Sequence, residues 1–211
     1  MNMSTKAASA QRTTRRTGGI GSLLAIATTV IGLTLGVSTA AQAVNGPNIV
    51  TNGGFETGSF SGWTGTGDQT FNGVQCPGPG PSVRAGNCSA FFGPIGTTGG
   101  ISQTLTTIAG AAYDIEFSFQ PDGGTTSSFS ALFGGVQLLS LTNPAGGPYE
   151  DFTFRVNATG ISTTLAFNFR DDPGFLLLDA VSVSQVPVPA ALVLVGAGLI
   201  GLSLRRRLQR A

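Results

Sequence analysis

Histidine is absent from the chain, lysine occurs once (Lys6), tryptophan once (Trp63) and cysteine twice (Cys76 and Cys88). Each scarcity removes a class of chemistry. Without histidine there is no Ser-His-Asp or Cys-His machinery, and zinc loses its usual nitrogen ligand. Only 10% of the 211 residues are charged, and the few charges are partitioned. Residues 1–43 carry Lys6, Arg12, Arg15 and Arg16 and no acid. Residues 44–185 carry Arg84, Arg155 and Arg170 with all ten acids, a charge of −7. The tail carries Arg205, Arg206, Arg207 and Arg210. An acidic middle argues against nucleic acid as a partner, because neutralising phosphate needs clustered Lys and Arg. It suits a solvated extracellular domain, or one that binds Ca²⁺.

What the chain has in quantity is glycine, 32 residues, together with aliphatic residues, Phe, Ser and Thr. That mixture favours short strands joined by turns over helices. Residues 1–43 read as a signal peptide. Arg12, Arg15 and Arg16 form a basic n-region, residues 21–37 an apolar run, and Ala41-Gln42-Ala43 a small-x-small cleavage pattern that starts the mature chain at Val44. An uncleaved anchor is the alternative.

The other end, residues 186–211, has a different grammar. Ala190 to Leu204 is free of charge, and at a helical rise of ~1.5 Å it spans about 22 Å, or about 28 Å counted from Val186, against a ~30 Å hydrocarbon core. Pro187 and Pro189 stand at the helix entry, where missing N–H groups cost little. Arg205, Arg206 and Arg207 follow, and the positive-inside rule keeps such a cluster in the cytoplasm. The expectation is a transmembrane helix at about 190–204 with an Arg-rich tail at 205–211. VPVPAALVLVGAGLIGLSLRRR resembles the PEP-CTERM sorting signal of Gram-negative bacteria, in the variant nearer VPLPA-CTERM, since Val188 replaces the usual Glu. The resemblance implies an exosortase-type membrane protease as partner and export to the cell surface or extracellular matrix. It also implies association with exopolysaccharide or biofilm.

Between the ends, residues 44–185 are enough for one well-buried core. In 112–120, Tyr113, Ile115, Phe117 and Phe119 share one face, and Asp114, Glu116, Ser118 and Gln120 the other. Phe152, Phe154 and Val156 alternate with Asp151, Thr153 and Arg155, and Leu165, Phe167 and Phe169 with polar neighbours. Period-two alternation marks half-buried strands of antiparallel sheets. Gly134-Gly135 between two such runs reads as a two-residue hairpin. Many short strands with Gly-rich turns, no amphipathic helix and no internal repeat point to an all-β antiparallel β-sandwich, a jelly roll.

NIVTNGGFETGSFSGWT (48–64) and LLLDAVSVSQV (176–186) narrow the fold further. They resemble the opening and closing stretches of the galactose-binding-like jelly roll of many carbohydrate-binding modules. Asp179 is in phase with Phe175, Leu177, Val181 and Val183, so its carboxylate is expected on the apolar side, where it needs backbone donors, an arginine or a cation. One reading has Glu56 and Asp179 holding a structural Ca²⁺ with backbone carbonyls. The other has Asp179 accepting backbone N–H groups and Glu56 as a surface acid. The family's second Asp is Ala180 here, one potential ligand fewer.

Cys76 and Cys88 bracket a stretch of turn formers, and in an exported protein their default state is a disulfide, with two free thiols as the alternative. The aromatic candidates for sugar contact are Tyr149, Trp63 and Phe71, Trp63 being also a natural core residue. The acid pairs Glu150/Asp151 and Asp171/Asp172 sit at strand ends, and hydrolysis of a glycoside would need two carboxyls facing each other across a cleft. The expectation is a non-catalytic glycan-binding or matrix module, against a structural surface protein without a sugar ligand and a polysaccharide hydrolase.

Overall fold

The computed structural model describes residues 44–187 apart from Pro79 and Pro81. The expected signal peptide, the helix at 190–204, the tail at 205–211, and Val188 and Pro189 lie outside the described residues. Among the described residues no helix is long and apolar enough to cross a membrane. Ten strands form, in the order β1 (Thr64–Gly67), β2 (Gly73–Gln75), β3 (Ser89–Phe92), β4 (Gly99–Thr106), β5 (Ala112–Gln120), β6 (Ser127–Phe133), β7 (Val136–Thr142), β8 (Glu150–Asn157), β9 (Ser162–Asp171) and β10 (Leu176–Gln185).

They make two five-stranded sheets of order β1-β4-β9-β6-β7 and β2-β3-β10-β5-β8, and every pairing is antiparallel. From β3 onward nearly every connection crosses to the other sheet, as a jelly roll requires. The exception is the β6–β7 hairpin, where Phe133 faces Val136 across Gly134 and Gly135, both at positive φ (59° and 81°). That conformation gives a two-residue turn the twist of its strands, and glycine adopts it without a Cβ penalty.

The alternating faces meet between the sheets. Phe117 and Phe119 of β5, Phe129 of β6, Phe167 and Phe169 of β9 and Phe92 of β3 are all essentially buried. Phe92 stacks on Phe169 with centroids 3.7 Å apart, and Phe119 on Phe129 at 4.1 Å. Each pair joins the two sheets, and such contacts add roughly 1 kcal/mol beyond area burial.

The closing strand departs from its expected phase. Leu176 and Leu178 point into the core, while Phe175 is 46% exposed and Leu177 is half-buried. The β10–β5 register then slips between Asp179 and Ser182, with Ala180 at φ 52°. After this bulge Val181 and Val183 are buried again. A bulge inserts one unpaired residue and so reverses the alternation; Phe175 and Leu177 therefore lie on the outer face, contrary to the simple period-two reading. Asp179 is buried, but because it sits at the bulge. Beyond it, Gly46 and Ile49 donate backbone hydrogen bonds to Gln185 and Val183, so the two ends of the domain run side by side.

Candidate functional site

The β2–β3 connection, residues 76–88, carries most of the polar organisation on the outer face of the second sheet. Cys76 and Cys88 are disulfide-bonded. Closing a loop of this size contributes roughly 3 kcal/mol in the chain-entropy account, so Cys88→Ser should lower the unfolding free energy by about that much, read by denaturant titration. Loss of less than 1 kcal/mol would show that the two carboxylates described next hold the loop without the bridge.

Asp179 accepts backbone N–H groups from Arg84 (2.8 Å) and Ala85 (2.9 Å) through Oδ2, and from Ala180 (2.6 Å) through Oδ1. Burial pushes its pKa up, the three N–H groups pull it back, and the charge of Glu56 raises it again. Glu56 is exposed, yet its carboxylate also receives the N–H groups of Asn87 (3.0 Å) and Cys88 (3.2 Å). Gly86, at φ 72°, leaves the space that the Glu56 carboxylate occupies. Oδ1 of Asp179 and Oε1 of Glu56 each lie 3.9 Å from where a Cβ would stand on Gly54. The two acids thus converge on one loop, and Glu56 is more than a surface acid.

Arg84 then reaches across the sheet. Its Nε and Nη2 donate to Oδ1 (3.0 Å) and Oδ2 (2.6 Å) of Asp151, and Ser118 Oγ donates to the same carboxylate at 2.6 Å. These donors lower the Asp151 pKa to about 2, Arg84 most of all. With Glu116, Thr153 and Ala180 they line a cavity of about 360 Å³. Periodicity alone does not disclose Arg84, because its partners lie 67 and more residues away.

Of the three aromatic candidates one is in the core, one is half-buried and one is exposed. Trp63 is only 8% exposed, stacks on Phe55 at 5.9 Å and donates its indole N–H to the Asn52 carbonyl; it is a core residue, which corrects its place among the ligand-binding candidates. Tyr149 is half-buried and donates its hydroxyl to the Ser82 carbonyl at 3.2 Å. Burial raises its pKa, and the hydrogen bond ties its ring to the 76–88 loop. Phe71 is 56% exposed.

The structure adds a shelf that alternation concealed. Phe91 of β3 and Phe175 meet edge to face at 5.4 Å, and with Gln75 and Leu177 they line an outer-face cavity of about 270 Å³. Gly73 leaves room for the Phe91 ring and Gly93 for the Phe175 ring. Phe71 lies two residues before Gly73 in the chain. A mostly apolar lining with one placed polar group is a common composition of small-ligand pockets.

No curated protein matches the chain. Residues 185–207 match the PEP-CTERM protein-sorting motif, which includes Pro187, Val188, Pro189 and Arg205–Arg207. Among solved structures the chain is similar to TmCBM61 in complex with β-1,4-galactotriose, at 20% identity and a TM-score of 0.54, over 66% of this chain and 99% of that one. It is similar also to the enzymatically active domain of bacteriophage CBA120 tailspike protein 4, at 17% identity and a TM-score of 0.52, over 66% of this chain and 21% of that one. The CBM22-1 xylan-binding domain of Paenibacillus barcinonensis Xyn10C follows, at 19% identity and a TM-score of 0.45, over 71% and 99%. At such identities the likeness to the first two shows the fold alone. The chain thus carries a PEP-CTERM protein-sorting motif behind a β-sandwich of the kind found in carbohydrate-binding modules.

Proposed function

We propose that the chain is an exported, non-catalytic glycan-binding protein of the Gram-negative cell surface or biofilm matrix, delivered by its sorting motif. An exosortase processes it there, after transient anchoring in the membrane by the C-terminal helix, and exopolysaccharide is its partner. The observation that carries the glycan reading is the Phe91–Phe175 shelf with Gln75, an exposed aromatic surface beside a hydrogen-bonding amide on an open sheet face. The fold shared with TmCBM61 supports it. The exposed Phe71 offers a further aromatic surface, while Tyr149 hydrogen-bonds to the 76–88 loop. A structural Ca²⁺ between Glu56 and Asp179 would neutralise two acids that face each other and fix the loop.

Non-catalysis is supported by the state of the acids. Asp151 is held ionised by Arg84 and Ser118, and Asp171 has no exposed surface of its own, so neither presents a free carboxyl to a glycosidic bond, whose hydrolysis needs two facing across a cleft. Binding of the full chain to a glycan array tests the reading. Phe175→Ala should weaken the best signal by about tenfold or more, the scale of losing an anchoring aromatic, with the fold retained. No bound glycan leaves a structural surface protein. Turnover of a polysaccharide panel that Asp171→Asn or Glu150→Gln abolishes establishes a hydrolase instead.

A further inference from the structure

Asp171 ends β9 with no exposed surface, and neither of its carboxylate oxygens meets a hydrogen-bond donor. A buried carboxylate without donors is costly, and the adjacent cation does not relieve it, because Arg170 pairs with Asp172. Asp172 is further engaged by the Gly96 N–H at 2.8 Å.

What faces Asp171 is another acid. A Cβ on Gly124 would stand 2.8 Å from Oδ1 of Asp171 and 3.1 Å from Oδ1 of Asp122, and 3.4 Å from the Pro173 carbonyl. On the other side, a Cβ on Gly174 would run into Oδ2 of Asp122 and stand 2.9 Å from Oδ2 of Asp171. The two carboxylates therefore share one gap between two glycines, presenting four oxygens and no donor to each other. Asp122 takes the N–H groups of Gly124 (2.7 Å) and Phe175 (3.2 Å) from the rim, and it is exposed, so the gap opens to solvent.

We propose that Asp122 and Asp171 hold a divalent cation, Ca²⁺ by the all-oxygen chemistry of the site, with the Pro173 carbonyl and water completing its shell. Two carboxylates on separate connections, one from β5–β6 and one from the end of β9, suit the flexible coordination of Ca²⁺ better than the strict octahedron of Mg²⁺. Burial and the charge of Asp122 push the Asp171 pKa up to about 6, as expected of a buried negative charge that no neighbouring donor or cation offsets. This site is separate from the Glu56–Asp179 pair, and through the Phe175 N–H that Asp122 accepts it lies at the base of the aromatic shelf.

The test counts metal. The full chain in detergent is dialysed against Ca²⁺ at pH 7 and the bound ion measured by plasma mass spectrometry. Asp122→Asn should bind one Ca²⁺ fewer than the wild type, while Glu56→Gln keeps that equivalent. Gly174→Ala, which preserves charge but places a methyl where the flexible Asp122 carboxylate lies, should lose the same equivalent. Equal Ca²⁺ in wild type and Asp122→Asn overturns the site. So does a wild type whose bound Ca²⁺ is removed entirely by Glu56→Gln, since the acids at Asp122 and Asp171 would then be sharing a proton.

Discussion

Phe129→Ala should lower the unfolding free energy by about 4 kcal/mol, near the upper end for aromatic truncation in a core. The ring is 1% exposed and touches both sheets. It stacks on Phe119 of β5 at 4.1 Å and lies 5.8 Å from Phe117, 5.3 Å from Phe169 and 6.1 Å from Phe167. Four rings frame the vacated volume, and they belong to strands pinned on both sides by ladder hydrogen bonds, so the cavity collapses poorly. Chemical denaturation reads the loss directly. Phe175→Ala on the outer face is the comparison, with a smaller change of about 1 kcal/mol for the lost edge-to-face contact with Phe91. A Phe129→Ala loss below 1 kcal/mol would mean that the sheets do not close on that ring.

The second large effect belongs to Asp179. Replacing it with Ala removes the acceptor of three backbone N–H groups and should destabilise by about 3 kcal/mol, since each donor left unpaired carries its own desolvation penalty. Asp179→Asn keeps one acceptor oxygen and should cost about half as much. The same experiment settles the metal at Glu56. With Ca²⁺ between the two acids, a chelator lowers the wild-type melting temperature by more than it lowers that of Asp179→Asn, whose remaining response belongs to the Asp122–Asp171 site. A wild-type melt that the chelator leaves unchanged retires that ion and leaves the hydrogen bonds as the whole account of the pair.

The β5 and β9 core faces were readable because alternation is a local property: Phe117 and Phe167 announce their side within four residues. The Gly134-Gly135 turn and the Cys76–Cys88 bridge were readable for the same reason, one from conformational demand and one from number. The phase of β10 was not. A single residue at positive φ, Ala180, reverses it, and nothing in the residue type signals a bulge. That one slip turns Phe175 outward where alternation puts it inside, while Trp63 takes its environment from Phe55 and Phe167, which are distant in the chain or hidden from periodicity. The Arg84–Asp151 pair and the Asp122–Asp171 gap were out of reach on different grounds. Each joins residues about fifty or more apart, and only the order of strands in the sheets brings them together.

The shelf and the sorting motif occupy opposite ends of one strand. Phe175 immediately precedes β10, and Gln185, where the motif begins, is its last residue. Ten extended residues at about 3.3 Å each separate them by about 30 Å. A chain fastened at its motif would therefore stand the aromatic shelf at the far pole, about 30 Å from the point of attachment. Neighbouring copies fastened side by side would form a layer whose outermost surface is the shelf, and many weak contacts to one long polymer could then be made at once.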